Sequence, residues 1–386
     1  FPTRRSSDLI LICLANPSKN PRPNRIIKLL LRMGYEVDTF SYKSNGDLNI
    51  SNEYIFEEIN SNFFERINRL LFKIIRLIIP SLDIKILLTE KIYKFDKIKV
   101  ELENYDLVIV ENIEMLPFAV KNNSKKILCD LREFYPLEYE NSFLFRLLES
   151  KFKIDICKKY LKKCDELITV STGLINGYQK YFNLTPKLLM STPNYFEISV
   201  KVNDGKNIKM VHHGAANIDR KLENMIEMFK YLDDRFYLDF YLVGNQKYIN
   251  KLKEISKPYS KIRFLEPVPF NDIIPTMNQY DIGLYLLEPT GFNTEYALPN
   301  KFFEYIQARL MLAIGPSYDM KKIVEQYNLG IVSKNFDSKE LAIELNKLSY
   351  EDILIYKENS NIASKELCYE NESKKLTAIL DKLLKK

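Results

Sequence analysis

A second α/β domain begins with Met210-Val211-His212-His213-Gly214-Ala215-Ala216-Asn217-Ile218-Asp219-Arg220-Lys221. The run 210–213 is predicted to form a strand, and it passes through small and polar residues into a helix predicted to open at Arg220. The preceding segment, 192–206, is rich in polar residues and turn formers, and strands already alternate with helices from residue 10 to that point. The alternation therefore restarts, which predicts two doubly wound, Rossmann-like α/β domains.

Runs of strand length, most of them mainly apolar, mark both predicted sheets. Runs without polar alternation are typical of parallel strands that are buried on both faces. The predicted strands are 10–14, 36–40, 107–110, 127–129, 167–170 and 187–190 in the first domain, and 210–213, 237–243, 262–265, 282–287, 311–314 and 331–332 in the second.

We place the first domain at residues 8–195, the second at 196–350, and a helical tail at 351–386 that we expect to pack back on the first domain. Asp337 and Glu340 stand at capping-box spacing and predict a helix start near the end of the second domain. Residues 1–7 fit no element and are left outside the fold prediction.

The composition narrows the class of protein. At about 150 residues per domain, 386 residues predict two or three domains. A net charge of +6 is low for a nucleic-acid binder, which usually concentrates a larger basic excess on one face, so we expect no nucleic-acid partner. The sequence contains no run of about 18 uncharged apolar residues, the length needed to span a bilayer. Since no signal peptide is recognisable either, we expect a cytoplasmic location.

The chain offers no obvious metal site. Its two histidines, His212 and His213, are neighbours on one predicted strand and should point to opposite faces, which excludes a multi-histidine site. The five cysteines show no C-x-x-C spacing and are expected to be buried thiols. We therefore expect neither a metal nor another resident cofactor.

The common nucleotide-binding motifs are missing. The loop after the first strand, 15–23, contains no glycine, so the G-x-G-x-x-G turn of dinucleotide-binding domains is absent, and no P-loop motif occurs. The turn 214–219 offers another route, because Gly214 lets the backbone approach a ligand and Arg220 can bind an anion through its forked guanidinium. An ordinary strand-to-helix turn with a surface arginine is the alternative.

The second candidate segment is Gly291-Phe292-Asn293-Thr294-Glu295-Tyr296-Ala297-Leu298-Pro299-Asn300-Lys301-Phe302-Phe303-Glu304-Tyr305. Lys301 and Glu304, three residues apart, share one helix face. A lysine suits a diphosphate, and a carboxylate can accept hydrogen bonds from both hydroxyls of a ribose. Asn293, in the same segment, joins the predicted donor-binding set. A solvent-exposed ion pair between Lys301 and Glu304 explains the same spacing, and spacing alone does not choose.

These segments resemble the nucleotide-sugar half of the group 1 glycosyltransferases, retaining enzymes with the GT-B fold. The resemblance rests on four segments in the same order, 214–229, 264–269, 281–284 and 297–308. The first domain resembles the same family through 106–117 and 128–136. The resemblance implies two domains that face each other across a cleft and a nucleotide-diphosphate sugar as donor substrate.

The resemblance also implies roles for residues of the second domain. It places Arg220 on the donor diphosphate and Glu304 as the second acid of the family's Glu-x7-Glu pattern, which binds the donor ribose. Tyr296 stands at the register of the first acid, and Ala215 at that of another diphosphate arginine. Lys301 is implied to supply the missing positive charge, so Arg220 and Lys301 enter the predicted catalytic set.

In the first domain, Arg132 stands where the family frequently has a catalytic-side histidine. The nearby carboxylates are Asp130, Glu133 and, at the adjoining strand end, Glu111. We include Glu133 in the predicted catalytic set. A structural role for each of the three carboxylates is the alternative.

The resemblance implies hexosyl transfer with retention from a nucleotide-diphosphate sugar to a glycan or lipid-linked acceptor, without an essential metal, in cell-surface polysaccharide biosynthesis. A front-side mechanism, in which the departing phosphate accepts the acceptor's proton, would explain why no histidine base is needed. Two alternatives remain open. One is a nucleotide-sugar 2-epimerase of the same fold, and the other is a degenerate scaffold in a polysaccharide-assembly complex, for which the missing first acid and histidine argue.

Residues 63–79 are predicted to form an amphipathic helix. Its apolar residues recur at helical spacing, and its cations form the opposite stripe. The apolar stripe is Phe63, Ile67, Leu70, Leu71, Ile74, Ile75 and Ile78, and the basic stripe is Arg66, Arg69, Lys73 and Arg76. Packing in the core is one explanation. A helix that lies on an anionic membrane surface is the other, favoured because many relatives of the family use lipid-linked acceptors, and it predicts peripheral attachment to the inner face of the plasma membrane.

Overall fold

The computed structural model describes residues 8–44, 46, 48–56, 63–95 and 98–384. Residues 1–7, set aside in the fold prediction, lie outside the described residues. The chain divides into two compact units, of which one holds the described residues up to Leu189 together with those from Lys375 onward, and the other holds Met190–Lys374. The sequence placed the corresponding divisions at 195/196 and 350/351.

The first unit is built on a parallel sheet. Its strands are β1 (Asp8–Ile12), β2 (Glu36–Ser41), β3 (Glu53–Ile55), β4 (Leu107–Val110), β5 (Ile127–Leu131), β6 (Glu166–Thr169) and β7 (Lys187–Leu188). Within the described residues these seven strands follow the order β3-β2-β1-β4-β5-β6-β7, and each pair of neighbours is parallel. Strand β4 is buried along its whole length, as expected for a central parallel strand.

The helices of the first unit connect these strands. They are α1 (Pro21–Arg32), α2 (Phe63–Ile78), α3 (Leu82–Tyr93), α4 (Leu116–Lys121), α5 (Phe143–Phe145), α6 (Lys151–Tyr160) and α7 (Thr172–Phe182), with a π-helical turn, Arg146–Ser150, between α5 and α6. Helix α1 contributes Ile26 and Leu30 to a buried cluster that contains Leu9 and Leu11 of β1. Burial of this apolar face, rather than helix propensity, holds the helix in place.

The second unit repeats the architecture. Its strands are β8 (Ile208–Ala216), β9 (Phe236–Gly244), β10 (Ile262–Leu265), β11 (Ile282–Tyr285), β12 (Met311–Ile314) and β13 (Gly330–Val332). Among the described residues, the strand order is β10-β9-β8-β11-β12-β13, again parallel throughout.

The helices that follow are shorter near β8 and β11 and longer toward the end of the chain. They are α8 (Glu223–Glu227), α9 (Gln246–Ser256), α10 (Ile273–Met277), α11 (Phe292–Glu295), α12 (Asn300–Gln307), α13 (Tyr318–Tyr327), α14 (Ser338–Asn346), α15 (Tyr350–Glu366) and α16 (Tyr369–Leu384). Asp337 caps α14 by accepting from the Lys339 amide, as its sequence position predicted. Helix α15 buries Ile353 and Ala363 in the core of the second unit, whereas Leu376 and Leu380 of α16 lie in that of the first.

Each sheet has a topological switch point, between β1 and β4 in the first unit and between β8 and β11 in the second. Connections run outward in opposite directions from such a pair, so a crevice opens at the carboxyl ends of the two strands. The strand orders confirm two doubly wound α/β units, and all twelve predicted strands occur. The sequence missed β3, because its three partly exposed residues form no apolar run. No helix in the described ranges is long and apolar enough to cross a membrane.

Candidate functional site

The second unit brings two cations together at the carboxyl ends of β8 and β11. Arg220 ends the 3-10 turn Ile218–Arg220 that follows β8, and Lys301 lies in the first turn of α12. Both approach Tyr285, the last residue of β11. The guanidinium carbon of Arg220 lies 5.9 Å from the centroid of the Tyr285 ring, and Lys301 Nζ lies 5.8 Å from it. The two cations therefore share one site at the switch point.

The guanidinium of Arg220 makes one hydrogen bond within the site and has, in the described part of the chain, an unpaired buried donor. Its Nη2 donates to Tyr285 Oη at 3.0 Å, while its Nε is buried and has no hydrogen-bond partner in the ranges that the structure describes. Among the described residues, no carboxylate forms an ion pair with Arg220 or with Lys301. A buried donor without an acceptor costs free energy, so this geometry favours a ligand that supplies one.

The ammonium of Lys301 occupies a narrow space beside Gly214. A Cβ atom at position 214 would lie 2.8 Å from Lys301 Nζ, and Gly214 has a φ of 113°, which disfavours other residues as well. Burial lowers the pKa of Lys301 to about 8; Glu304 opposes this change and Arg220 adds to it. The site therefore holds positive charge at a cost, which a bound anion would offset.

Glu304 lies on the same turn of α12 and is buried, with 5% of its surface exposed. Its Oε2 lies 3.3 Å from His213 Nε2. Burial and the nearby Lys301 lower the pKa of His213 to about 3, so the imidazole is neutral at physiological pH and this contact is not an ion pair. Because Glu304 is buried and its carboxylate forms no ion pair with the Lys301 ammonium among the described residues, the solvent-exposed ion pair that the spacing allowed is excluded.

The prediction that a helix begins at Arg220 is wrong. After the 3-10 turn, Lys221 adopts a left-handed conformation with φ 47°, and α8 begins at Glu223 and has only five residues. The left-handed residue breaks the helical backbone at this point. Positive charge after β8 is therefore supplied by the Arg220 side chain and not by a helix N-terminus. Asn293, the remaining residue of the predicted donor set, lies half-buried in α11.

Tyr285 and His212 also belong to this site, although neither was predicted to have a role in it. Tyr285 is 3% exposed; burial raises the pKa of its phenol, and Arg220 opposes that rise. Its position was a usable signal, because a polar group at the carboxyl end of a switch-point strand faces the crevice. The role of His212 had no such signal, since its partners are 72 and 89 residues away in the chain.

The first unit has its own buried carboxylate at the switch point. Glu111 follows β4 directly, is fully buried, and neither of its side-chain oxygens has a hydrogen-bond partner in the described part of the chain. Arg132 Nη1 lies 3.5 Å from Glu111 Oε2. Burial raises the pKa of Glu111 to about 7, Arg132 opposes this rise, and Asp130 adds to it. An unsatisfied carboxylate of this kind can accept hydrogen bonds from a ligand hydroxyl.

The other two carboxylates near β5 differ from Glu111. Asp130 is fully buried and accepts from Arg22 Nε at 2.5 Å and Nη2 at 2.9 Å, so its oxygens are engaged in a structural ion pair. Glu133 is exposed. Desolvation and the nearby Glu138 raise the pKa of Glu133, but water limits the rise for an exposed group, and we treat Glu133 as ionised at neutral pH.

Together these side chains form an anion site in the second unit and a separate carboxylate site in the first. Two cations without carboxylate partners match the charge of a diphosphate, and a buried carboxylate beside them can accept hydrogen bonds from a vicinal diol. The described ranges contain no group of three or more His, Cys, Asp or Glu side chains that could hold a metal ion.

Comparison with known proteins finds similarity in structure only. No protein-family profile matches the chain, and no curated protein sequence does. A glycosyltransferase from Rickettsia africae ESF-5 matches with a TM-score of 0.68 at 13% identity, over 99% of this chain and 100% of that one. Anabaena Alr3699/HepE, solved with UDP-glucose, matches with a TM-score of 0.68 at 12% identity, over 97% and 100%.

A third similar structure is that of WaaG, a glycosyltransferase involved in lipopolysaccharide biosynthesis. Its TM-score is 0.64 at 14% identity, over 96% of this chain and 99% of that one. At such identities the similarity establishes the fold. It confirms the predicted fold class, GT-B with two Rossmann-like units.

Proposed function

We propose that this protein transfers a sugar from a nucleotide-diphosphate sugar to a glycan or lipid-linked acceptor. The observation that carries the proposal is the pair formed by Arg220 and Lys301 at the carboxyl ends of β8 and β11. Their charged groups share the ring of Tyr285, no carboxylate of the described residues pairs with either, and Arg220 Nε is buried without an acceptor. A diphosphate supplies both the charge and the acceptor oxygens that this arrangement lacks.

The same arrangement supports the chemistry of the transfer. The bond between the sugar C1 and the diphosphate oxygen breaks, and a bond forms between C1 and the acceptor oxygen. Negative charge grows on the departing diphosphate, where Arg220 and Lys301 stabilise it without a metal ion. In a retaining, front-side reaction, the proton of the acceptor hydroxyl passes to an oxygen of the departing phosphate, so no histidine base is required.

The ribose of the donor is assigned to Glu304. Its carboxylate is buried in the turn of α12 that follows Lys301, and a carboxylate can accept from both hydroxyls of a vicinal diol. On the acceptor side, both side-chain oxygens of Glu111 lack a hydrogen-bond partner among the described residues. We assign Glu111, rather than the exposed Glu133, to an acceptor hydroxyl.

Binding of UDP, GDP, ADP and TDP, measured by calorimetry, tests the donor site. For the diphosphate that binds the wild type, Arg220→Gln and Lys301→Met should each weaken the binding affinity by about 10- to 100-fold, because each removes a hydrogen bond between charged groups. Lys221→Gln is the matched control, since this neighbour of Arg220 is 61% exposed and its ammonium pairs with Glu288 at 2.7 Å. Binding that survives both site variants, or failure of all four diphosphates to bind the wild type, contradicts the proposal.

Incubation of the wild type with nucleotide-diphosphate sugars separates the candidate activities. A thermal-shift screen identifies the sugar that stabilises the protein. Conversion of that sugar to its 2-epimer without an acceptor would assign an epimerase, and binding without any turnover would assign a scaffold. Transfer to a glycan or lipid-linked acceptor, with the anomeric configuration of the product determined by NMR, tests both the transfer and the retention.

We further propose that the protein attaches peripherally to an anionic membrane, on the cytoplasmic face, through α2. All seven residues of the predicted apolar stripe are exposed, from 37% for Ile75 to 80% for Ile78. Exposed apolar residues continue onto α3 with Leu87 at 50% and onto α5 with Phe143 at 67%. We call α2, α3 and α5 the apolar platform. Exposed apolar side chains concentrated on these helices indicate an interaction site, and the exposure of the stripe argues against its packing in the core.

The basic stripe of α2 is only partly available to lipid headgroups. Arg76 is 4% exposed, donates to Thr89 Oγ1 at 3.0 Å and to Glu149 Oε2 at 2.8 Å, and Lys73 pairs with Glu149 at 2.6 Å. Arg76 and Lys73 thus hold α2 against the rest of the first unit through Glu149, whereas Arg66 is exposed. Attachment would therefore depend mainly on insertion of the apolar residues, with a smaller contribution from charge.

A further inference from the structure

His212 is a fully buried imidazole on β8 whose protonation is fixed by its surroundings. Its Nδ1 lies 2.9 Å from the backbone oxygen of Leu284. A carbonyl oxygen only accepts hydrogen bonds, so Nδ1 carries the proton of the ring. Burial and the positive charge of Lys301 hold the pKa of His212 well below its usual range, so the ring stays neutral. Its Nε2 is therefore an acceptor with a free lone pair.

That lone pair faces the Lys301 ammonium. The distance between His212 Nε2 and Lys301 Nζ is 3.5 Å, at the long end of the hydrogen-bond range. Lys301 has no ion pair with any carboxylate in the described part of the chain, and Gly214 leaves the space that the ammonium fills on another side. Within the described residues, His212 Nε2 is the one side-chain atom that accepts a hydrogen bond from this ammonium.

We propose that His212 is a positioning residue, which holds the Lys301 ammonium through its Nε2 in the place where the donor diphosphate binds. The hydrogen bond fixes the direction of one N–H of the ammonium and leaves two N–H groups to be directed at a ligand. The proposal rests on the proposed function for its ligand but not for its contact, so the two can be tested separately.

The groups around Lys301 set the direction of the expected effects. His212 and His213 face it from β8, Arg220 from the turn after β8, Tyr285 from β11 and Glu304 from α12. The acceptor on His212 stabilises the charged form of the lysine, because a hydrogen bond made only by the ammonium favours protonation. Loss of that acceptor should lower the pKa of Lys301 further below its present value of about 8.

Competitive acetylation of the unligated protein over a range of pH, read by peptide mass spectrometry, measures the titration of Lys301 without any ligand. We expect His212→Leu to move the midpoint for Lys301 downward by about half a pH unit or more, and His212→Gln, which keeps an acceptor, to restore part of the shift. Phe240→Leu is the packing control, because the Phe240 ring lies 6.0 Å from the His212 ring but offers no acceptor. A Lys301 midpoint that is the same in wild type and His212→Leu overturns the proposal.

Calorimetry with the diphosphate that binds the wild type measures the consequence. In the wild type, affinity should fall as the pH rises through the Lys301 midpoint, about tenfold per pH unit. In His212→Leu the fall should begin at a lower pH, and affinity at neutral pH should be about 3- to 10-fold weaker. A profile for His212→Leu that coincides with the wild type counts against positioning. If no diphosphate binds the wild type, the proposed function fails while the acetylation result still decides the role of His212.

Discussion

Gly214 and the ammonium of Lys301 occupy adjoining space, since a Cβ atom on residue 214 would lie 2.8 Å from Lys301 Nζ and 3.1 Å from its Cε. Gly214 also has a φ of 113°. Two properties of glycine are thus used at one position, its backbone freedom and its lack of a side chain. They have different consequences, because the first affects stability and the second affects only the position of the lysine.

Gly214→Ala should therefore lose donor binding and some stability. The left-handed backbone costs an alanine about 1 to 3 kcal/mol of unfolding free energy, and the displaced ammonium should weaken binding of the nucleotide diphosphate at least about tenfold. Gly244→Ala is the matched control, because Gly244 has a φ of 102° and nothing within 4 Å of an added Cβ. Denaturant unfolding and calorimetry should show equal losses of stability but a loss of binding only at position 214.

Lys301→Met should make the protein more stable while it loses donor binding. The pKa of Lys301 is lowered from 10.5 to about 8, so between these values the unfolded state binds more protons and stability rises with pH. At pH 7 the ammonium therefore costs about 1 to 3 kcal/mol, which the variant recovers. Lys321→Met, at an ammonium with 46% of its side chain exposed, should leave stability and binding unchanged. A Lys301→Met protein less stable than wild type at neutral pH contradicts this account.

Glu111→Gln should change how stability depends on pH. The pKa of Glu111 is raised from 4.5 to about 7, so between these values the native state binds more protons than the unfolded state. Stability then falls as pH rises through this window, and the variant should lose about 1 to 3 kcal/mol less than wild type across it. Unfolding in urea at several pH values measures the difference.

The variant Glu111→Gln also tests which of two carboxylates, Glu111 or Glu133, acts on the acceptor side. Glu133→Gln is the comparison, because Glu133 is exposed and was the carboxylate chosen from sequence. We expect transfer activity to fall about tenfold or more in Glu111→Gln and to stay near wild type in Glu133→Gln. The reverse result would restore the assignment made from sequence and remove Glu111 from the acceptor site.

Strand positions could be predicted from the sequence, but the difference in burial between Glu111 and Glu133 could not. Parallel strands could be located because burial on both faces requires an uninterrupted apolar run, and Leu107–Val110 was predicted with both ends correct. Glu111 and Glu133 both follow predicted strands, so the sequence gives them equal standing. Burial distinguishes them, and it depends on packing by residues remote in the chain, such as Arg132 beside Glu111.

The orientation of α2 also depends on a contact with a residue remote in the chain. Helical periodicity separated an apolar from a basic stripe, but it could not say which stripe faces the protein. The partner that decides is Glu149, which lies 73 residues beyond Arg76 and engages both Arg76 and Lys73. A contact at that separation leaves no local pattern. Arg76 and Lys73 of the basic stripe are held by Glu149, while the apolar stripe is exposed.

Charge should contribute modestly to membrane attachment. Arg66→Gln removes an exposed cation of α2, and each cation near an anionic surface contributes about 1 kcal/mol, or roughly a fivefold change in partitioning. Sedimentation with vesicles that contain anionic lipid should show that weakening, and neutral vesicles should show none. Arg76→Gln should instead lower stability, because it leaves the buried side of Glu149 without this partner.

Apolar insertion should carry most of the attachment. Replacing Ile67, Leu71 and Ile78 together with Asp places three charges on the apolar platform at side chains that are 38%, 49% and 80% exposed, where burial in lipid becomes unfavourable. Sedimentation with vesicles should then be lost. Ile355→Asp with Ile362→Asp is the matched control, since these residues of α15 are 56% and 64% exposed but lie on the second unit. If the triple variant still sediments with vesicles, or if the wild type forms a dimer that the variant does not, the platform contacts protein rather than lipid.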